Sequence, residues 1–258
     1  MRWCRRWRIN RVGGACLFER PHHRRIAIIL ASLDADVLAA NACLFGGGTA
    51  MALRYGEYRE SVDIDFLVSQ VDGYRQLRQR LTGPDGVQAI TRQGHTLTQT
   101  REMRADQYGV RTLLQVDGVA IKFEIVLEGR IALDAPGTDD RLCGVATLTP
   151  LDRVTSKLLA NSDRWRDEAV FSRDLIDLAM MAPPKALMRQ AMTKAKGAYG
   201  DSVAVDLAKA IEDLRARPRR LDQCMQAMAM TTVSKAALWA RIRALGSKAP
   251  ATPGSAAL

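Results

Sequence analysis

Between Leu44 and Ser69 the chain reads LFGGGTAMALRYGEYRESVDIDFLVS, and two features of that stretch could do chemistry. Asp63 and Asp65 stand two residues apart in a run, Val62 to Val68, whose alternating apolar residues predict a strand. Side chains alternate across a strand, so the two aspartates share one face while Ile64, Phe66 and Val68 share the other. Their Cα atoms would lie about 7 Å apart. Like charges at that spacing repel unless water or a cation lies between them, and a divalent ion such as Mg²⁺ takes oxygen ligands of this kind. The second feature is Gly46-Gly47-Gly48, a tight turn ahead of a short predicted helix from Thr49 to Tyr55. Glycines let backbone N–H groups approach a phosphate, and a helix start adds a favourable dipole. Taken singly, an Asp-x-Asp is usually a solvated polar face and a glycine triplet a plain turn. In this order, with Arg59 and Ser61 just ahead of the aspartates, they suggest a phosphate cradle beside a metal-holding strand.

The elements that must position these groups follow from pattern. Pro21 to Ala40 predicts one helix, since Ile26, Ile29, Leu30, Leu33, Val37 and Leu38 recur at three- and four-residue steps. Cys43 to Phe45 predicts a short strand, Tyr74 to Leu81 a helix, Gly83 to Gly86 a turn, and Val87 to Thr91 a strand. Val110 to Val116 and Val119 to Val126 flank Asp117-Gly118, the composition of a two-residue hairpin turn. Lys122 and Glu124 share one face of the second hairpin strand, and Glu124 would meet Asp63 and Asp65 were the two strands neighbours. Leu142 to Leu148 predicts a last strand.

From Pro150 the pattern turns helical. Pro150 to Ala160 puts Leu151, Val154, Leu158 and Leu159 on one face, with Lys157 beside it. Phe171 to Met181 carries Asp174 and Asp177 three residues apart, hence adjacent on a helix. Further helices are predicted from Pro184 to Ala198, Ser202 to Ala216, Leu221 to Met230 and Val233 to Leu245. Mixed strands followed by helices imply an α+β fold, a small mixed sheet with helices and then a C-terminal helical portion.

Composition narrows the function classes. The 258 residues suit one large domain or two small ones. Five cysteines, odd in number and scattered without a Cys-x-x-Cys pair, argue against a disulfide framework or a zinc site and fit a reducing cytoplasm. Three histidines, two of them the adjacent His22 and His23, make a histidine-based metal site a poor expectation. No apolar run is long enough to span a membrane. The formal charge of +10 is uneven: residues 1–25 hold eight arginines against one glutamate, residues 185–258 hold 13 Lys/Arg against five Asp/Glu, and residues 26–184 are net −5. An acidic middle suits a metal site, and basic flanks suit either a polyanionic partner or solvated helix faces.

The run GGGTAMALRYGEYRESVDIDF resembles the opening motif of the nucleotidyltransferase superfamily that includes DNA polymerase β. More narrowly, the chain resembles the AbiEii/AbiGii-type nucleotidyltransferase toxins of bacterial toxin–antitoxin systems. Their G-G-T-A-L-A-L…R-x-S-x-D-I-D-F run matches Gly47 to Phe66, and their later K-L…R-D-L-x-D-L segment matches Lys157-Leu158 and Arg173 to Leu178. The third acid of the superfamily is typically an aspartate in a K-x-D context; here the matching segment is Lys122-Phe123-Glu124, one methylene longer.

The resemblance implies an enzyme that transfers a nucleoside monophosphate from a nucleoside triphosphate (ATP, GTP or CTP) to an acceptor hydroxyl and releases pyrophosphate. Asp63, Asp65 and Glu124 would hold Mg²⁺, two ions by family analogy, and Gly47, Gly48, Thr49, Arg59 and Ser61 would cradle the triphosphate. Lys157 would be a point charge on the phosphates, with Asp174 orienting it or the acceptor, in preference to Asp177. The implied acceptor is RNA, a transfer-RNA end, and the implied biology a cytoplasmic toxin whose antitoxin need not touch it. Alternatives are an aminoglycoside-type small-molecule nucleotidyltransferase and a degenerate module that binds nucleotide or RNA without chemistry. The expected organisation is a basic arm at 1–21, disordered or ahead of the true start; a catalytic nucleotidyltransferase domain at 22–148; a helical domain at 149–246 completing the active site; and a disordered tail at 247–258.

Overall fold

In the computed structural model, which describes residues 11–12, 15–16 and 18–248, the alternation around Asp65 is borne out. Ile64, Phe66 and Val68 are fully buried, while Asp65 between them stays half-exposed. The chain divides into two units, Met1–Thr149 and Pro150–Leu258.

The first unit begins with a two-residue ladder, β1 (Arg11–Val12) against β2 (Ala15–Cys16), then α1 (Pro21–Ser32) and α2 (Ala35–Ala40). Next come β3 (Leu44–Phe45), α3 (Gly47–Arg54), β4 (Ile64–Val68) and α4 (Val71–Leu81). A 3₁₀ turn (Gly86–Ile90) leads to β5 (Thr98–Gln99), β6 (Arg104–Ala105), β7 (Gly109–Val116) and β8 (Val119–Leu127). The unit closes with the small ladder of β9 (Arg141–Leu142) and β10 (Val145–Ala146). The main sheet is mixed, in the order β3-β4-β8-β7-β5, with β6 also on β7. Its β4–β8 pair is parallel and the others antiparallel. One face is welded by Phe45, Phe66 and Phe123, from β3, β4 and β8, with ring centroids 5.5 and 5.7 Å apart. On the other face Leu44, Leu67, Ala146 and Leu148 form a smaller apolar cluster.

The expected hairpin is present: Asp117 (φ 50) and Gly118 (φ 76) both take the left-handed conformation that a two-residue turn of this hand needs. Three expectations change. The single helix over Pro21 to Ala40 is two, because Leu33 is extended and Asp34 starts afresh. The Asp34 carboxylate accepts the N–H groups of Asp36 and Val37, and its own N–H goes to Ile90 O at 2.9 Å. Val87 to Thr91 is the 3₁₀ turn rather than a strand; Val87 and Ile90, three residues apart, both point into the core, and Thr91 alone makes a bridge, to Leu33. Leu142 to Leu148 is broken after Leu142 by Cys143 (φ 49) and Gly144 (φ 91), which turn the chain back on itself.

The second unit consists of α5 (Pro150–Arg164), a 3₁₀ turn (Glu168–Val170), α6 (Arg173–Met181), α7 (Lys185–Tyr199), α8 (Ser202–Ala216), α9 (Pro218–Ala227) and α10 (Lys235–Lys248). Val154, Leu158 and Leu159 of α5 and Leu175, Ile176 and Leu178 of α6 are all buried, as their periodicity demands. The buried Asp152 of α5 receives Lys194 of α7 at 2.6 Å. Helix α10 continues to Lys248, past the expected onset of a tail at 247. Residues 249–258 of that tail, and most of the expected arm over 1–17, lie outside the described residues. Among the described residues no helix is long and apolar enough to cross a membrane.

Candidate active site

The glycine turn is pressed against the acidic strand. Gly46 N donates to Asp65 O at 2.9 Å, which seats the turn on β4. Gly47 is the first residue of α3 and has φ +66; a Cβ there would stand 2.3 Å from Asp65 Oδ2. A Cβ on Gly48 would stand 2.5 Å from Arg59 Nη2. Gly47 does not admit a side chain, and one at Gly48 would have to displace the end of Arg59. The next residue, Thr49, is buried and its hydroxyl donates to Ser61 Oγ at 2.8 Å. Arg59 is 3% exposed, its Nη1 donates to Glu60 O at 2.9 Å, and its guanidinium lies 5.9 Å from the Tyr58 ring centre. Five of the six residues expected at a triphosphate, all but Lys157, therefore gather about the N-terminus of one helix.

Asp63 lies one residue ahead of β4, and Asp65 is within it. Parallel pairing sets Asp65 directly opposite Glu124 of β8, the neighbour relation anticipated from the sequence. Glu124 is 9% exposed, and its carboxylate is gripped by two cations, Lys122 Nζ at 2.6 Å and Arg111 Nε of β7. Burial opposes ionisation of Glu124, but the hydrogen bonds from Lys122 and Arg111 outweigh it and hold the carboxyl below the usual range. Arg111 is itself held by Asp106 at 3.0 Å. Burial likewise opposes the charge on Lys122, and Glu124, Asp65 and Asp63 together overcome it and raise its pKa.

An ammonium thus stands within the field of both aspartates. Among the described residues no three His, Cys, Asp or Glu side chains group as a metal cage. The donor set therefore fits an ion held by Asp63 and Asp65 and completed by substrate phosphates, the way Mg²⁺ is commonly held. Glu124, the expected third ligand, has both its oxygens committed to cations.

In the second unit Lys157 is buried, with Nζ 2.9 Å from Asp174 Oδ1 and 2.6 Å from Asp177 Oδ2. Arg164 closes the group with Nε 2.7 Å from Asp174 Oδ2. Lys157, Asp174 and Asp177 are buried together, which opposite charges in contact permit, while Arg164 reaches them from a half-exposed position. Burial pushes the Asp174 carboxyl up, but Lys157 and Arg164 push it down further, to well below the usual carboxylate range. Asp177, the less favoured acid in the sequence, makes the shorter contact to Lys157 and is wholly buried. Its i, i+3 spacing from Asp174 was visible; that one lysine reaches both was not. Arg111 and Arg164 had no signal of their own, since each acts through a partner 13 or 10 residues away.

Residues 28–247 match the family described as "Nucleotidyl transferase AbiEii toxin, Type IV TA system". Among curated proteins nothing matches. Of solved structures, one described as a proposed nucleotidyltransferase from Helicobacter pylori is 18% identical, with 90% of this chain and 97% of that chain covered and a TM-score of 0.49. The structure of JHP933 from Helicobacter pylori is also 18% identical, with 90% and 94% covered and a TM-score of 0.48. The family match spans far more than half of the chain and takes in both the glycine–aspartate motif and the lysine–aspartate cluster, so this chain belongs to the AbiEii nucleotidyl transferase toxins, transferases of type IV toxin–antitoxin systems.

Proposed function

We propose that the chain moves a nucleoside monophosphate from a nucleoside triphosphate to a hydroxyl of an RNA, a transfer-RNA end, and so acts as a toxin in the cytoplasm. The acceptor hydroxyl gives up its proton to water as its oxygen bonds to the α-phosphorus, the bond from that phosphorus to the bridging oxygen breaks, and pyrophosphate leaves with the electron pair. The observation that carries this reading is the contact of Gly47 with Asp65, which sets backbone N–H groups for phosphate beside a carboxylate for a cation. The α3 N-terminus, Thr49 and Ser61 bind the triphosphate, and Arg59 supplies fixed positive charge. Asp63 and Asp65 would hold Mg²⁺, which when bound would offset charge on the phosphates. Glu124 keeps Lys122 and Arg111 in place beside them. Lys157 is held between Asp174 and Asp177 within the second unit. The excess of Lys and Arg over residues 185–258 supports a polyanionic acceptor. An antitoxin is the implied counterpart, and the reading does not require it to touch this chain.

The test mixes purified protein with Mg²⁺, total RNA and each of the four α-labelled triphosphates in turn. Label should enter RNA with one or two of them and not with Asp63→Ala. Label entering an aminoglycoside instead, or no label entering either, would overturn the RNA reading.

A further inference from the structure

The adjacent histidines at the start of α1 make two contacts that the proposed reaction does not use. His22 Nε2 lies 3.0 Å from Val62 O, and because a carbonyl only accepts, that nitrogen carries the proton and donates. His23 Nε2 lies 3.2 Å from Ser61 N, and because an amide N–H only donates, that nitrogen is bare and accepts. The proton of His23 therefore sits on Nδ1, which donates to Glu57 Oε1 at 2.7 Å. The two rings hold opposite tautomers, and together they bracket the Ser61–Val62 peptide immediately ahead of Asp63.

Glu57 anchors this arrangement. It sits at φ 51 in the turn after α3, and its N–H goes to Ala52 O at 2.8 Å. Its carboxylate also accepts the backbone N–H groups of Glu19, at 2.8 Å, and Arg20, at 3.1 Å, and so serves the open start of α1. The contacts close into a ring. The far end of α3 leads through Glu57 to His23, from His23 to the Ser61 N–H, and from the Ser61 hydroxyl to Thr49 at the near end of α3. His23 is 0% exposed, with the Phe18 ring edge-on to it at 6.4 Å, so the ring has no water to trade for these partners.

We infer that His23, with His22, is a positioning residue of the transferase: it fixes the Ser61 backbone so that Ser61, held by the Thr49 hydroxyl, presents its own hydroxyl to the triphosphate. The inference rests on the reading of Ser61 and Thr49 as triphosphate-binding groups. Because Thr49 donates to Ser61, the Ser61 hydroxyl keeps its own proton for a phosphate oxygen.

Two measurements on the full chain test it. Nitrogen-15 NMR at pH 7 should find His23 protonated on Nδ1 and bare on Nε2, with His22 the reverse; a proton on His23 Nε2 would sink the inference and leave the transferase reading intact. Calorimetry with Mg²⁺ and inorganic tripolyphosphate, a probe with no base, then compares two variants. Glutamine places an oxygen where Nε2 was, so His23→Gln should bind within about threefold of wild type. Asparagine reaches the Nδ1 position alone, so His23→Asn should bind about tenfold more weakly, the size expected for one lost hydrogen bond. Equal binding by both variants, or an equal loss in both, would overturn the inference. A wild-type chain that does not bind tripolyphosphate would overturn the triphosphate reading beneath it.

Discussion

Asp65 and Glu124 face each other across the one parallel pair of the sheet, yet their charges are treated differently: Asp65 is half-exposed beside Gly47, while Glu124 is buried under Lys122 and Arg111. The sheet thus sets a half-exposed carboxylate beside a buried one that is paired to two cations. Substitutions should sort by that division.

Asp63→Asn and Asp65→Asn should each lower nucleotidyl transfer by on the order of 10²–10³-fold, the usual effect of removing one preorganised charge from a reacting centre. Both side chains are half-exposed, so thermal unfolding should shift by no more than a degree or two. Turnover within threefold of wild type in either variant would remove the carboxylates from the mechanism.

Lys122→Met should strengthen Mg²⁺ binding to the nucleotide-free protein by roughly tenfold, because it deletes a competing positive charge beside two carboxylates. Glu124→Gln should do the opposite, since Lys122 then has only Asp63 and Asp65 to pair with. Titration calorimetry with Mg²⁺ reads both, and shifts of the same sign would contradict the arrangement.

Gly47→Ala should be damaging out of proportion to one methyl group. The left-handed φ of +66 costs a side chain about 1–2 kcal/mol, and the added Cβ would meet Asp65 Oδ2 at 2.3 Å. Activity should fall with Asp65 displaced even where circular dichroism reports a folded chain.

Removing one of the buried charges in the Lys157 cluster should cost stability. Lys157→Met leaves Asp174 and Asp177 buried with Arg164 as the remaining cation, and Asp177→Asn leaves an excess positive charge. Each should cost about 3–5 kcal/mol by urea unfolding, the range for breaking a buried pair on one side. The double variant should cost less than the sum, because the two losses share one contact.

Acid should weaken the fold in two steps. Burial holds the His23 pKa below 6.5, with Glu57 and Glu60 acting to raise it and Arg20 to lower it. The unfolded chain therefore binds a proton there before the folded chain does, and stability should begin to fall as the pH drops below about 6.5. The Asp174 carboxyl lies well below its unfolded value, so its contribution is complete above about pH 4 and is lost as the pH falls further. Unfolding midpoints at pH 7.5, 5.5 and 3.5 should decrease in that order, and His23→Gln should abolish the first decrease.

The hairpin at Asp117-Gly118, the strand through Asp65, the glycine turn and the six late helices were all legible in the chain, because each is set by contacts within about ten residues: turn chemistry, period-two alternation, or a 3.6-residue apolar stripe. Seven of the candidate residues, Gly47, Gly48, Thr49, Arg59, Ser61, Asp63 and Asp65, lie together in one short stretch, while Glu124, Lys157 and Asp174 came from separate patterns. What the tertiary structure alone decided involves partners far apart in sequence. Ile90 takes the Asp34 N–H and splits the first helix, Arg111 takes the carboxylate of Glu124 from the neighbouring strand, Lys157 joins two acids on α6, and His23 reaches 38 residues to Ser61. A side chain's charge and hydrogen-bonding role depend on what the fold sets within about 3 Å of it, and no local pattern carries that information.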